Sequence, residues 1–345
     1  MPDIEAKLRF LRSPHAYGQS STAVDCIETH MSWLFLVGTR VFKLKKAVCF
    51  PFLDFTTLKA REFYCQEEVR LNVRLAPGVY LGVVALQWHD GAFTLVPGAQ
   101  LPAPGETQDW LVLMRRLPLH QTLLHRIHNH HVNDGDLEAL VRLLGAFYKG
   151  APPMALDGAS YVSQFQHPQP TNRGVLLHPP FQLPDAAQAM DRFDAALAQG
   201  ADLLRARASH QRIVDGHGDL RPDHIFLRHP PVVIDCLEFN AALRQVDPFD
   251  ELAYLGLECD MAGAPWIGPR LIQGLARALR DQPPPALVHL YTAHRALLRA
   301  RLAVAHLLDP HPRTPETWLP LAERYLQRAL AATEAFTSSM RHGWP

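Results

Sequence analysis

The stretch HGDLRPDHIFLRHPPVVIDCLEF, residues 217–239, constrains this chain more than any other. It reads as a polar loop carrying His217, Asp219 and His224, then a strand, then a second acid, Asp235. The β-branched run Val232-Val233-Ile234 favours extended backbone and delivers Asp235 at its end. Two acids 16 residues apart, joined by a hairpin-sized segment, can reach opposite sides of one phosphate. That layout suits phosphoryl transfer. One carboxylate orients the attacking hydroxyl and takes its proton, while the other holds the metal that neutralises the phosphates.

The rest of the chain has room for such a site. Its 345 residues suffice for two lobes and a large core, and 48% apolar with 20% charged residues is ordinary for a globular protein. Formal net charge is zero and no long Lys/Arg run exists, so no nucleic-acid partner is expected. The five cysteines, Cys26, Cys49, Cys65, Cys236 and Cys259, are scattered without a CxxC pair, which argues against a zinc ribbon or a disulfide framework. The start, MPDIEAKLRFLRSPHAYG, is charged and amphipathic rather than a signal peptide, and no apolar run approaches a membrane span. The expected location is the cytoplasm, with no membrane partner.

Apolar spacing predicts a short helix within 3–12 and strands at Ser32–Val37 and Val41–Leu44 about a Gly38-Thr39 turn. A helix follows over 57–75, its apolar face assigned to Leu58, Phe63, Val69, Leu71 and Leu75. Strands are expected at 79–86, 91–96 and 110–114. Beyond them the chain turns helical around 137–147, 185–209, 250–262, 268–280, 284–308 and 316–338. Residues 151–184, rich in Pro, Gln and His, are expected to be an extended loop beside the substrate site. The chain has six lysines, and three of them, Lys43, Lys45 and Lys46, fall within four residues.

HGDLxxxxI followed by IDxxEF resembles the aminoglycoside phosphotransferase family, small-molecule relatives of the protein kinases whose HRD and DFG acids have the same order and roles. Asp247-Pro248-Phe249-Asp250-Glu251-Leu252-Ala253 is similar to the family's DPxxDLA segment. The order of parts extends the resemblance over roughly residues 25–310.

The resemblance implies an α+β, bilobal protein-kinase-like fold. A small antiparallel-sheet N-lobe would span 1–114 and a larger, mainly helical C-lobe 115–345, with a hinge about 114–118. It also implies an ATP-dependent small-molecule O-phosphotransferase. Asp219 would be the catalytic base and Asp235 the magnesium ligand. Lys43, with Lys45 as the alternative, would grip the α- and β-phosphates, and Glu68, preferred over Glu67, would fix its amine. The nucleobase would contact backbone near Met114, Arg116 and Leu117. His217 is expected to be structural and Asp250 to tie the catalytic loop to the following helix.

The chain departs from the pattern twice. No glycine-rich phosphate loop exists, its place being held by Thr29-His30-Met31-Ser32. His224 stands where an asparagine would bind the second ion, and imidazole favours manganese or zinc over magnesium. One-metal kinase, manganese-preferring kinase and inactive relative all remain open, with Glu238 or Asn240 as replacement ligands. Two other classes stay beside the kinase. One is a metal-dependent phosphohydrolase using His217, Asp219, His224 and Asp235, and the other is a non-catalytic nucleotide-binding relative. Residues 235–260 hold seven acids against one base, Arg244, which suggests a cationic acceptor alcohol.

Overall fold

The computed structural model describes residues 3–18, 23–50, 53–309, 312 and 314–342. The chain divides into two compact units, one of Met1–Thr122 with His224–Leu243, the other of Leu123–Asp223 with Arg244–Pro345.

The first unit is built on a six-stranded antiparallel sheet. Its strands are β1 (Val24–Glu28), β2 (Ser32–Val37), β3 (Arg40–Lys45), β4 (Tyr80–His89), β5 (Ala92–Pro97) and β6 (Glu106–Arg115), in the order β1-β2-β3-β6-β4-β5. Alternation along β3 splits its side chains between two faces. Phe42 and Leu44 join Leu8, Leu11, Phe35 and Leu111 under helix α1 (Ile4–Leu11), whose first turn is capped by Asp3 accepting from the Ala6 amide at 2.8 Å. Val41 and Lys43 line a cavity on the opposite face. Helix α2 (Leu58–Asn72), capped by Thr57, follows β3 in sequence.

The buried face of α2 is Arg61, Cys65, Glu68, Leu71 and Asn72, while Phe63 is 54% exposed. The apolar face read from the sequence is therefore displaced. The helix buries polar groups because each has a partner: Arg61 Nε donates to Asp109 at 2.7 Å, and Asn72 Nδ2 to the Glu68 carbonyl at 2.8 Å.

The first unit does not end at residue 114. It runs on to Thr122, where the Leu227 amide donates to the Gln121 carbonyl at 2.8 Å. It also takes back 224–243, expected in the C-lobe. There Ile225–Phe226 pairs antiparallel with Val232–Val233, and Phe226 and Val232 join Cys65, Val79, Tyr80, Trp110 and Val112 in a second core cluster. Burial of that apolar hairpin explains why the acid at its end belongs to the sheet unit.

The second unit is helical: α3 (Leu123–His128), α4 (Asp134–Gly150), α5 (Gly158–Gln166), α6 (Pro168–Leu176), α7 (Ala186–Ser209), α8 (Pro248–Met261), α9 (Ile267–Leu279), α10 (Pro285–Ala305) and α11 (Pro315–His342). Residues 151–184 are not the extended loop expected. They hold α5 and α6, which bury Tyr161, Val162, Phe165 and Leu176. Pro168 starts a helix rather than a linker, sitting in the first turn of α6, where its missing N–H costs nothing. Among the described residues no helix is long and apolar enough to cross a membrane.

Candidate active site

A cavity of about 820 Å³ lies wholly within the first unit. Leu34, Leu36, Val41, Val79, Phe226 and Ile234 make it apolar along its length, and Lys43, His224 and Asp235 make one region polar. Lys43 Nζ donates to Glu68 Oε1 at 2.8 Å and to Asp235 Oδ1 at 3.1 Å. Lys45 Nζ donates to the other Glu68 oxygen at 2.6 Å and also to Glu238. The two lysines thus share one glutamate. Lys43 opens onto the cavity, whereas Lys45 is shut away beneath it with its ammonium 5.1 Å from the Phe55 ring centroid.

Glu68 itself is fully buried. Burial alone would favour its neutral form, but Lys43 and Lys45 outweigh it and hold the carboxyl below its ordinary range. Burial likewise opposes charge on Lys43, and Asp235, Glu68 and Glu238 overcome it, so its pKa lies well above the ordinary lysine value. Glu67, one residue earlier, points away and pairs with exposed Arg70 at 2.7 Å. Helical periodicity separates the two acids by about 100°.

Asp235 is 46% exposed and sits at φ 62°. That left-handed conformation is uncommon for a residue with a Cβ, and aspartate is among the side chains that tolerate it. Its amide donates to the Tyr80 hydroxyl at 3.2 Å, and the Cys236 amide to Asn72 Oδ1 at 2.9 Å. Asp235 Oδ2 lies 3.6 Å from His224 Nε2. Among the described residues no group of three or more His, Cys, Asp or Glu side chains is arranged to hold a metal ion. Asp235 is the carboxylate here that would hold a magnesium ion, an oxygen donor of the kind such a hard cation takes. Glu238, considered as a replacement ligand, is instead committed to Lys45.

Met114, Arg116 and Leu117 line another part of the same cavity. The Arg115 amide donates to the Val79 carbonyl and the Arg116 amide to the Thr39 carbonyl, both at 2.8 Å. The Leu117 amide makes no hydrogen bond among the described residues, and Pro118 has no N–H. Leu117 therefore offers an open donor in this part of the cavity.

In the second unit Asp219 stands on a loop whose backbone is fixed from below. The His217 amide donates to Glu251 Oε1 at 2.9 Å and to Oε2 at 3.0 Å, and the Gly218 amide donates to the same carboxylate. Glu251 also accepts from the Tyr148 hydroxyl at 2.6 Å. The approach requires glycine at 216, where a Cβ would lie 2.6 Å from Glu251 Oε2. His217 is buried, with Nδ1 accepting from the Asp219 amide at 3.3 Å, a structural role. The Asp219 carboxylate accepts from Tyr254 Oη at 3.1 Å and from Arg221 Nε at 3.2 Å.

The acid tying this loop to α8 is thus Glu251, not Asp250. Counted from Asp247-Pro248, Glu251 is the fifth residue, where DPxxDLA has its second acid. Asp250 pairs with Arg295 at 2.6 Å instead. The acid count of 235–260 loses its meaning in the same way. Asp247 pairs with Arg207, Glu258 with Arg299 and Asp260 with Arg328, and Asp235 and Glu238 face lysines. Those bases come from distant sequence, so no unneutralised acidic patch supports a cationic acceptor.

The overall fold recurs in solved structures. A choline/ethanolamine kinase family protein from Mesorhizobium loti superposes with a TM-score of 0.54 at 14% identity, covering 98% of this chain and 99% of that one. An ethanolamine kinase from Plasmodium vivax gives 0.55 at 10% identity, covering 98% and 91%. Aminoglycoside 2'-phosphotransferase-IIIa, solved as its GDP complex, gives 0.51 at 14% identity, covering 96% and 99%. The fold is protein-kinase-like. It is α+β, with the antiparallel sheet and the larger helical part that the sequence led us to expect. An uncharacterized protein of Mycobacterium tuberculosis is 30% identical over 314 residues, 89% of this chain. The chain spans 60% of the length of that curated relative. No protein-family model matches the chain.

Sequence reasoning singled out Lys43, Glu68, Asp219, His224 and Asp235, held Lys45 as the alternative to Lys43 and Glu238 as a replacement ligand, and did not single out Tyr80, Arg221, Tyr254 or the loop contact of Glu251. Lys45 carried a signal, its period-2 relation to Lys43. Tyr80 and Tyr254 carried none, because an apolar strand or helix pattern gives no sign that a hydroxyl meets an acid.

Proposed function

We propose that the chain is an ATP-dependent phosphotransferase that moves the γ-phosphoryl group to a hydroxyl of a small molecule. The observation supporting this most strongly is the Lys43 ammonium, held by buried Glu68 inside a large apolar-walled cavity with Asp235 on its other side. A positioned cation and a metal-binding acid are what a nucleotide triphosphate requires. In this reading Lys43 grips the α- and β-phosphates and Glu68 keeps it in place. The nucleobase lies against Met114, Arg116 and Leu117, accepting a hydrogen bond from the Leu117 amide. Asp235 holds magnesium, which when bound neutralises charge on the phosphates. Asp219 orients the acceptor hydroxyl and accepts its proton as the oxygen–phosphorus bond forms and ADP leaves.

Choline, ethanolamine and aminoglycosides, named for the structural neighbours, indicate the acceptor class: small hydroxyl-bearing molecules. The hydrolase alternative is less well supported, because His217 Nδ1 and the Asp219 carboxylate are engaged within the loop and by Tyr254 and Arg221. The test is transfer of label from γ-labelled ATP into a fractionated metabolite extract, with magnesium and manganese in parallel. Labelled small molecules are expected. Nucleotide binding without any labelled product would favour the non-catalytic relative, and release of phosphate from phosphomonoesters without nucleotide would favour the hydrolase.

A further inference from the structure

Three arginines share a second, smaller cavity where β3 begins and β6 ends. Arg40 opens β3 and Arg115 closes β6, and the two are direct partners in the antiparallel register, so their side chains leave the same face. Arg116 follows, tied by its amide to the Thr39 carbonyl. With Thr39 and Leu81 these arginines line a space of about 260 Å³ that contains no carboxylate.

Like charges directly opposite one another on a sheet repel, and guanidinium does not relieve the repulsion by losing its proton. The molecule supplies little compensation. Among the described residues neither the Arg40 nor the Arg115 side chain makes an ion pair or hydrogen bond. Arg116 reaches Asp25 only at 3.9 Å, with both groups largely exposed. None of the residues outside the described ranges has an acidic side chain.

We propose that this cavity is a binding site for a phosphoryl group. Paired guanidinium forks match phosphate oxygens bidentately, and one dianion would turn a repulsive register into a shared clamp. The space equals roughly eight or nine waters at about 30 Å³ each, ample for the four oxygens of a phosphate. Thr39, Arg115 and Arg116 also line the larger cavity. The phosphoryl group therefore comes either as a free ion or as a substituent of the molecule occupying that cavity. This inference stands independently of the proposed reaction.

Calorimetric titration of the full chain with inorganic phosphate, at constant ionic strength in chloride, tests it. The parent should bind saturably, and R40A/R115A at least tenfold more weakly. Without phosphate the double variant should melt no lower than the parent, because repulsion has been removed. With phosphate only the parent's midpoint should rise. Arg40→Gln and Arg115→Gln, tested singly, keep the reading falsifiable if the double variant does not fold. Adenosine 3′,5′-bisphosphate compared with AMP separates the sources. An advantage for the bisphosphate that R40A/R115A abolishes identifies a pendant phosphate, and equal binding of the two nucleotides beside phosphate binding identifies the free ion. The proposal is overturned if neither phosphate affinity nor any bisphosphate advantage depends on Arg40 and Arg115.

Discussion

Glu68 in the sheet unit and Glu251 in the helical unit are both buried and both hold a neighbouring residue in place, but by opposite means. Glu68 lies between two ammonium groups. Glu251 accepts from two backbone amides and a tyrosine hydroxyl, all neutral. Their pKa values move accordingly. The lysines hold Glu68 low against its burial, whereas burial pushes Glu251 up against its hydrogen bonds. The comparison teaches that burial alone does not decide a carboxylate's state. The charge of its partners does. The sheet unit fixes a cation by electrostatics, and the helical unit fixes a loop by hydrogen-bond geometry.

The largest expected effect tests the loop. Asp219→Asn keeps the shape and removes the charge, so turnover should fall by about 10²–10⁴ while nucleotide affinity holds. Calorimetry with ATP and transfer assays on the identified acceptor check both halves, and a variant with near-normal turnover would remove Asp219 as the base.

Next come the two glutamates. Glu68→Gln removes one acid from two buried cations, leaving Lys43 only Asp235 and Lys45 only Glu238, and should cost about 3–5 kcal/mol of unfolding free energy. Glu251→Gln leaves donors under-satisfied and should cost less, about 1–3 kcal/mol. Urea unfolding of parent and variants at neutral pH ranks them, and a reversed ranking would break the comparison.

The pH dependence sharpens it. Glu68 has a lowered folded pKa. Its stabilisation is present above the unfolded carboxyl value and is lost as pH falls through the folded one. Glu251 has a raised folded pKa. Its contribution is fully present below the unfolded value and declines as pH rises towards the folded one. Between acid and neutral pH the gap between parent and E68Q should widen, and that between parent and E251Q should narrow. Parallel gaps in a pH series of urea titrations would show that both acids sit in equivalent environments.

Lys43→Ala should weaken ATP binding by about 1.5–3 kcal/mol, roughly ten- to a hundredfold, and leave the fold intact because Lys45 still holds Glu68. A smaller effect is expected of His224→Asn, a severalfold rise in the ratio of magnesium- to manganese-supported activity. An unchanged ratio would leave His224 as a partner of Asp235 without influence on the metal.

The sequence by itself determined the order of the parts. A strand lysine, a helix glutamate, a loop acid and a strand-end acid were legible because period-2 and 3.6 patterns and turn residues are local properties. The same pattern preferred Glu68 over Glu67, and Glu68 is the one that meets Lys43. Only the tertiary structure decided the partners. Lys45 against Glu238, Glu251 beneath the His217–Asp219 loop and Arg295 on Asp250 join residues far apart in sequence, and a charge carries no mark of which distant charge it will meet. The buried polar face of α2 was misread for the same reason. Arg61, Glu68 and Asn72 are tolerable inside only because Asp109, the two lysines and the Cys236 amide are waiting there. Burial of a polar group is a property of the pair rather than of the residue.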